Sequence, residues 1–115
     1  MKIFDEQSHK TFCKVSNKKI FSNFENLLKN KDVKILPRIP LIPQITAGNE
    51  NLHQLADYLK SKNVKEIGLL PYNPLWLSKI EIIGVKAEYS RKEWMNKKEK
   101  QLVKEIFSDF KFRDF

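Results

Sequence analysis

Apolar residues recur along the chain at spacings typical of amphipathic helices, and polar turns separate these helical stretches. Spacing of three and four residues links a first apolar group, Ile20, Phe21, Phe24, Leu27 and Leu28. This group predicts a helix over residues 17–29 that Ser16 or Asn17 can cap. The same spacing after the turn at Gly48 predicts a second helix over residues 49–61.

A third helix is predicted over residues 91–108, because Ser90 and Glu93 have the spacing of a capping box. Between the helices, short runs rich in β-branched and aliphatic residues predict strands at 33–37 and 65–70. The alternation of helix and strand indicates an α/β fold with parallel strands joined by right-handed crossovers.

The predicted sheet is thin, with only two or three parallel strands, and residues 110–115 could add a short strand or fray. We therefore expect residues 1–115 to form a single incomplete domain, an α/β half-barrel. A parallel sheet is normally buried on both faces, so we also expect an open flank and self-association.

Two proline-rich segments, residues 39–43 and 69–75, each close an apolar run that predicts a strand. Each segment also brings a polar residue, Arg38 or Asn73, to the end of its run. Ligands in parallel α/β sheets are held at the carboxyl ends of the strands, because the loops there vary while the strands stay fixed. The sequence thus predicts a binding site at this end of the sheet.

The chain is basic, with 22 Lys and Arg against 14 Asp and Glu and a net charge of +8. Such a charge could attract nucleic acid, an anionic membrane or an acidic partner. The lysines are scattered through every predicted helix, which is more typical of a solvated surface. Nucleic acid ranks last, because the aromatic residues do not alternate with basic ones as in a stacking groove.

Cys13 is the only cysteine, so no intrachain disulfide can form and a reducing cytoplasm is the expected location. No apolar run approaches the length needed to cross a bilayer, and no membrane partner is expected. His9 and His53 lie outside any metal-ligand spacing. Trp76 and Trp94 are interpreted as packing residues.

Several motifs in register resemble the carboxy-terminal half of radical-SAM glycyl-radical enzyme activating proteins, the pyruvate formate-lyase activating enzyme family. The motifs are Lys2-Ile3-Phe4-Asp5, His9, Val15-Ser16-Asn17, Arg38-Ile39-Pro40-Leu41-Ile42-Pro43, Asn49-Glu50-Asn51 and Leu69-Leu70-Pro71-Tyr72-Asn73-Pro74-Leu75. The resemblance implies a partial (β/α) barrel that binds S-adenosylmethionine. It also implies an iron–sulfur cluster that cleaves this cofactor, and a glycyl-radical enzyme as the partner.

The resemblance carries three cofactor-binding residues over to this chain. Lys2 resembles the lysine of the family's Asp-x-Lys segment, whose aspartate would precede Met1. Arg38 resembles the arginine that meets the methionine carboxylate of S-adenosylmethionine, with which a guanidinium can form two parallel hydrogen bonds. Asn73 stands where the formate-lyase branch has the histidine of Leu-Leu-Pro-Tyr-His, next to the adenine.

The sequence also departs from the family pattern. Gln44 replaces a usual glycine, Cys13-Lys14 replaces a usual Thr-Gly, and the three closely spaced cluster cysteines are missing from this sequence. Clusters of this kind are generally held by several cysteine thiolates, so the chain supplies no metal ligands and no catalytic residue of its own. We expect a carboxy-terminal portion of an activase that is inactive alone and pairs with a cysteine-bearing half.

Two alternatives remain open at this point. One is a docking module that binds a glycyl-radical enzyme without chemistry, through Trp76, Leu77 and the basic third helix. The other is a basic nucleic-acid-binding domain, whose affinity should fall steeply with salt.

Overall fold

The computed structural model describes residues 1–82, 84, 89–113 and 115, which form an α/β fold. The elements in chain order are α1 (Glu6–Cys13), α2 (Lys18–Leu28), β1 (Arg38–Pro40), α3 (Asn49–Ser61), β2 (Glu66–Leu70), α4 (Trp76–Ile82), α5 (Lys97–Ile106) and β3 (Lys111–Arg113). Within these described residues, no helix has the length and apolar character to cross a membrane.

The three strands form one parallel sheet in the order β1-β2-β3. Arg38 of β1 lies opposite Gly68 of β2, and Gly68 in turn lies opposite Arg113 of β3. Since β2 lies in the middle, each crossover moves the chain by one strand in the same direction. This topology agrees with the predicted parallel α/β arrangement.

One face of the sheet is covered by helices and carries the hydrophobic core. This helix-covered face consists of Ile39, Ile67, Leu69 and Phe112, and the first three are fully buried. They belong to one cluster with buried side chains of α3 and α5, namely Leu52, Leu55, Leu59 and Val103. Burying a side chain of this size contributes about 1.5–3 kcal/mol, so the helices are held by this face.

Successive side chains of a strand point to opposite sides, so the intervening residues form a second face. This polar face consists of Arg38, Pro40, Glu66, Gly68, Leu70, Lys111 and Arg113. Arg38, Lys111 and Arg113 are exposed, while Pro40, Glu66 and Leu70 are half-buried. Burial alternates with a period of two along β1 and β3, whereas Ile67, Gly68 and Leu69 of the central strand β2 are all buried.

Several predicted elements are confirmed. The helices predicted at 17–29 and 49–61 correspond to α2 and α3, and the strand predicted at 65–70 corresponds to β2. The short strand predicted within residues 110–115 is β3, although residue 114 lies outside the described residues.

The strand predicted at 33–37 is wrong, because β1 occupies Arg38–Pro40 instead. The ladder begins where Gly68 N donates to Pro37 O at 2.8 Å, and it continues where Leu41 N donates to Leu70 O at 2.9 Å. In this register the preceding ladder bond would need the N–H that Pro37 lacks. Pro37 therefore marks the start of the strand and not its end.

The third helix was predicted to begin at residue 91 with a Ser90–Glu93 capping box, and this start is wrong. Asn96 caps α5, its side chain accepting from Glu99 N at 2.8 Å while Asn96 N donates to the Glu99 carboxylate at 3.2 Å. Both candidate boxes have suitable spacing, and burial of Met95 favours the later start. Helices α1 and α4 were not predicted, because both are short and their apolar spacing is weak.

Candidate functional site

Arg38 is the first residue of β1, so the prediction that it lies where its strand ends is wrong, and it is an exposed member of the polar face. Its backbone is fixed on one side by the ladder to β2, where Arg38 lies opposite Gly68. Its carbonyl accepts a hydrogen bond from the Met1 amine at 2.8 Å on the other side. A guanidinium held on a strand in this way offers planar, paired donors that suit a carboxylate.

Lys2 follows Met1, whose amine donates to Arg38 O, so the segment that carries Lys2 begins next to β1. Lys2 is exposed between Met1, which packs against the core, and Ile3, which is buried. This backbone hydrogen bond brings the two segments together, and a site shared by the Lys2 and Arg38 side chains stays a prediction.

Asn51, in the first turn of α3, holds the segment that carries Lys2. Its side-chain oxygen accepts from Phe4 N at 2.8 Å, and its amide nitrogen donates to Lys2 O at 2.9 Å and to Thr46 O at 2.8 Å. One side chain thus joins the first residues, the loop after β1 and α3. Asn51 lies in the Asn49-Glu50-Asn51 motif, but no local sequence signal indicates this role.

Asn17 holds the same segment from the other side. Its buried amide donates to Ile3 O at 3.1 Å and to Phe4 O at 2.7 Å. Asn17 occupies the N-cap position of α2 but forms no capping hydrogen bond there, whereas Ser16 Oγ accepts from Lys18 N at 3.1 Å. Of the two predicted caps, Ser16 therefore bonds a helix N–H and Asn17 anchors the first residues.

The loop after β1 is closed by the buried side chain of Thr46. Its hydroxyl donates to Pro40 O at 2.5 Å and accepts from Ile42 N at 2.7 Å. Gln44 in this loop has a φ of 68°, and Lys14 after α1 has a φ of 65°. At both positions the resemblance predicts a glycine, the residue that this left-handed backbone favours.

Asn73 lies in the loop after β2, three residues beyond the end of the strand. Its side-chain oxygen accepts from Leu75 N at 2.9 Å, which closes an Asx turn, and the residue is exposed. Asn73 therefore sets a turn at the start of this loop. Its contact with adenine stays a prediction, as do the cofactor contacts of Lys2 and Arg38.

Tyr72, next to Asn73, anchors this second loop. Its hydroxyl donates to Arg91 O at 2.8 Å and accepts from Trp76 Nε1 at 2.9 Å. The packing role predicted for Trp94 is wrong, because that residue is 55% exposed. Tyr89 lies edge-on to Tyr72 with ring centroids 5.6 Å apart, and it donates to Pro43 O at 2.8 Å. Burial raises the pKa of Tyr89 above its ordinary value, so it stays a neutral donor. The loops after β1 and β2 are thus tied together.

His9 has a structural role, because it is buried and its Nδ1 lies 2.7 Å from Val15 O. In the part of the chain that the structure describes, no group of three or more Cys, His, Asp or Glu is arranged to hold a metal. Cys13 is a half-buried free thiol at the end of α1.

The chain is thus an α/β protein with a short parallel sheet, helices on one face of this sheet and polar side chains on the other. No protein-family model matches the chain. It is 32% identical over 84 residues to a pyruvate formate-lyase 2-activating enzyme of Escherichia coli strain K12, covering 73% of this chain and 28% of that protein. It is 29% identical over 110 residues to a 4-hydroxyphenylacetate decarboxylase activating enzyme of Clostridioides difficile strain 630, covering 95% of this chain and 35% of that protein.

A solved structure is similar over almost the whole chain. It is the crystal structure of a domain of pyruvate-formate lyase-activating enzyme from Bacteroides vulgatus ATCC 8482, with a TM-score of 0.72 and 26% sequence identity. The match covers 98% of this chain and 62% of that chain.

The homologues of this chain are pyruvate formate-lyase activating enzymes and related activases of glycyl-radical enzymes. The chain spans between 28% and 39% of the length of these curated relatives. The predicted resemblance to this family is thereby confirmed.

Proposed function

We propose that this chain forms the carboxy-terminal, cofactor-binding part of a radical-SAM activase, a half-barrel whose polar face receives S-adenosylmethionine. The complete activity would install a glycyl radical on a partner enzyme of the pyruvate formate-lyase type. The observation that supports this proposal is an exposed arginine on the polar face, beside a lysine-bearing segment fixed by Asn51.

The residues present suit the carboxylate of S-adenosylmethionine. The guanidinium of Arg38 has the planar, paired donors that match a carboxylate, and Lys2 adds a second positive charge on the adjacent backbone. Asn73 keeps its amide nitrogen available for adenine, because its turn uses only the side-chain oxygen in the bonds described. These three residues would bind and orient the cofactor without taking part in bond cleavage.

The residues present do not suit an iron–sulfur cluster, since Cys13 is the only cysteine in these 115 residues. S-adenosylmethionine supplies, when reductively cleaved, the radical that removes hydrogen from a glycine. We therefore expect no radical chemistry from these residues alone. In an active assembly, the cluster would be held by cysteines outside them.

Cofactor binding tests this proposal. S-adenosylmethionine binding is measured by calorimetry for the chain alone and for the chain co-expressed with a cysteine-bearing amino-terminal half of a related activase. We expect weak or no binding alone and restored binding in the assembly. Arg38→Ala should weaken that restored binding by about tenfold or more, the loss expected for hydrogen bonds to a charged group.

Two control variants sharpen the result. Arg38→Lys keeps the charge but not the paired donors, so intermediate affinity would support the carboxylate contact. Lys104→Ala removes an equal charge from α5, away from the polar face, and should leave affinity unchanged. Tight binding by the chain alone that Arg38→Ala does not alter would refute the proposal.

Self-association is the second part of the proposal. Besides its polar face, the described part of the molecule has exposed apolar side chains on α1 and α2, including Phe12, Ile20 and Leu27. Light scattering of the isolated chain should detect association that the added half suppresses. A monodisperse monomer at high concentration would contradict this part.

A further inference from the structure

Gly68 lies at the centre of the polar face. In the sheet register it is flanked by Arg38 on β1 and by Arg113 on β3. Neighbouring strands are about 4.8 Å apart, so the two arginine backbones are about 10 Å apart across this glycine. Arg113 Nε donates to the Glu66 carboxylate at 2.7 Å.

The space above Gly68 is filled by the side chain of Arg38. A Cβ atom placed on Gly68 would lie 3.0 Å from Arg38 Cγ, 3.7 Å from Arg38 Nε and 3.8 Å from Arg38 Cβ. All three nearest atoms belong to the same arginine, so its stem leans across β2. The φ of Gly68 is not positive, so backbone freedom is not the reason for glycine here.

Gly48 provides the contrast within the same chain. A Cβ atom placed there would meet nothing within 4 Å, and its φ is −70°. Alanine is therefore sterically acceptable at residue 48 and crowded at residue 68.

We propose that Gly68 is a positioning residue for Arg38. Without a side chain at residue 68, the arginine stem lies across β2 and the guanidinium stands over the middle of the polar face. A methyl group there would push Arg38 toward the outer edge of β1, away from the centre of the face. The contact between Gly68 and Arg38 does not depend on the proposed function. Its consequence, correct placement of the carboxylate-binding donors, rests on the proposed function.

A thermal-melting cycle tests the contact without any ligand. Gly68→Ala should lower Tm by a few degrees, about what 1 kcal/mol gives in a domain of this size. In an Arg38→Ala background, which removes Cγ, the same substitution should cost nothing measurable. Gly48→Ala should behave identically in both backgrounds. An equal cost of Gly68→Ala in both backgrounds, or no cost in either, would overturn the proposal.

A binding cycle tests the consequence, with S-adenosylmethionine as the probe in the assembly described above. Gly68→Ala should weaken binding about tenfold when Arg38 is present and have no further effect when Arg38 is alanine. Equal weakening in both backgrounds would show a general effect on the strand and overturn the positioning role. If Arg38→Ala does not alter binding, the proposed function fails, while the melting cycle still decides whether Gly68 positions Arg38.

Discussion

The two faces of the sheet differ sharply although they are built from alternate residues of the same three strands. Ile39, Ile67 and Leu69 have no measurable exposure and pack against α3 and α5. Arg38, next to Ile39, and Arg113 of β3 are exposed on the opposite face. Stability therefore depends mainly on one face, while the proposed binding chemistry depends on the other.

This division explains why the polar face can carry charged side chains. Charges are costly in a core but inexpensive beside water, so arginines are tolerated on a face that no core residue needs. The face remains ordered because its backbone is the backbone of the buried strands. A substitution on the helix-covered face should accordingly cost more stability than a substitution on the polar face.

The largest effect is expected from Leu69→Ala on the helix-covered face. Leu69 is fully buried in the cluster, so its truncation leaves a cavity and should cost about 3–4 kcal/mol in the free energy of unfolding. Urea denaturation measures this cost. Leu70→Ala is the matched control, because the next residue of the same strand is half-buried on the polar face and should cost clearly less. Equal costs would mean that the two faces contribute alike.

Asn51→Ala should have the next largest effect. It leaves Phe4 N, Lys2 O and Thr46 O without their side-chain partner, and we expect a loss of about 2 kcal/mol. Asn51→Asp keeps the acceptor but loses both donors, so it should not restore stability. Asn49→Ala, two residues earlier in α3, is the control. Hydrogen exchange at Phe4 should accelerate in the Asn51 variants, and unchanged exchange would exclude the anchoring role.

The elements that form the helix-covered face could be predicted from the sequence better than the segments around the polar face. Apolar periodicity identified α2, α3 and β2, because those elements are amphipathic or buried and their spacing is visible locally. The start of β1 depended on the register with β2 and on the missing N–H of Pro37, which residues 33–37 do not reveal. Asn51 joins segments 47 residues apart, as in its bond to Phe4, so local reading could not assign its role.

Gln44, in the loop after β1, has a strained backbone, and the hydrophobic core does not offset that strain. Its φ of 68° is unfavourable for a residue with a Cβ, so Gln44→Gly should stabilise the protein by about 1 kcal/mol. Urea denaturation measures the gain. Gln44→Ala keeps the Cβ and should give none. If glycine destabilised the protein instead, side-chain contacts of Gln44 would have to outweigh the strain.

The smallest effect on stability is expected from removing either of two ion pairs, one beside each face of the sheet. Arg91 donates to both Glu99 oxygens, at 2.8 and 2.7 Å, whereas Arg113 donates to Glu66 through Nε alone at 2.7 Å. These hydrogen bonds hold the pKa of each carboxyl below its ordinary value.

Since the pKa of Glu99 is lower in the folded state, its stabilising contribution is complete above the unfolded-state pKa of about 4.3. It is lost as pH falls through the folded-state pKa. Glu99→Gln should therefore flatten the decline in unfolding free energy between about pH 5 and pH 3. Glu66→Gln is the matched variant, and we expect it to flatten the decline less, because its arginine forms one bond and is half exposed. A larger change for Glu66→Gln would mean that charge pairing stabilises the polar face more than the side of the sheet that carries the helices.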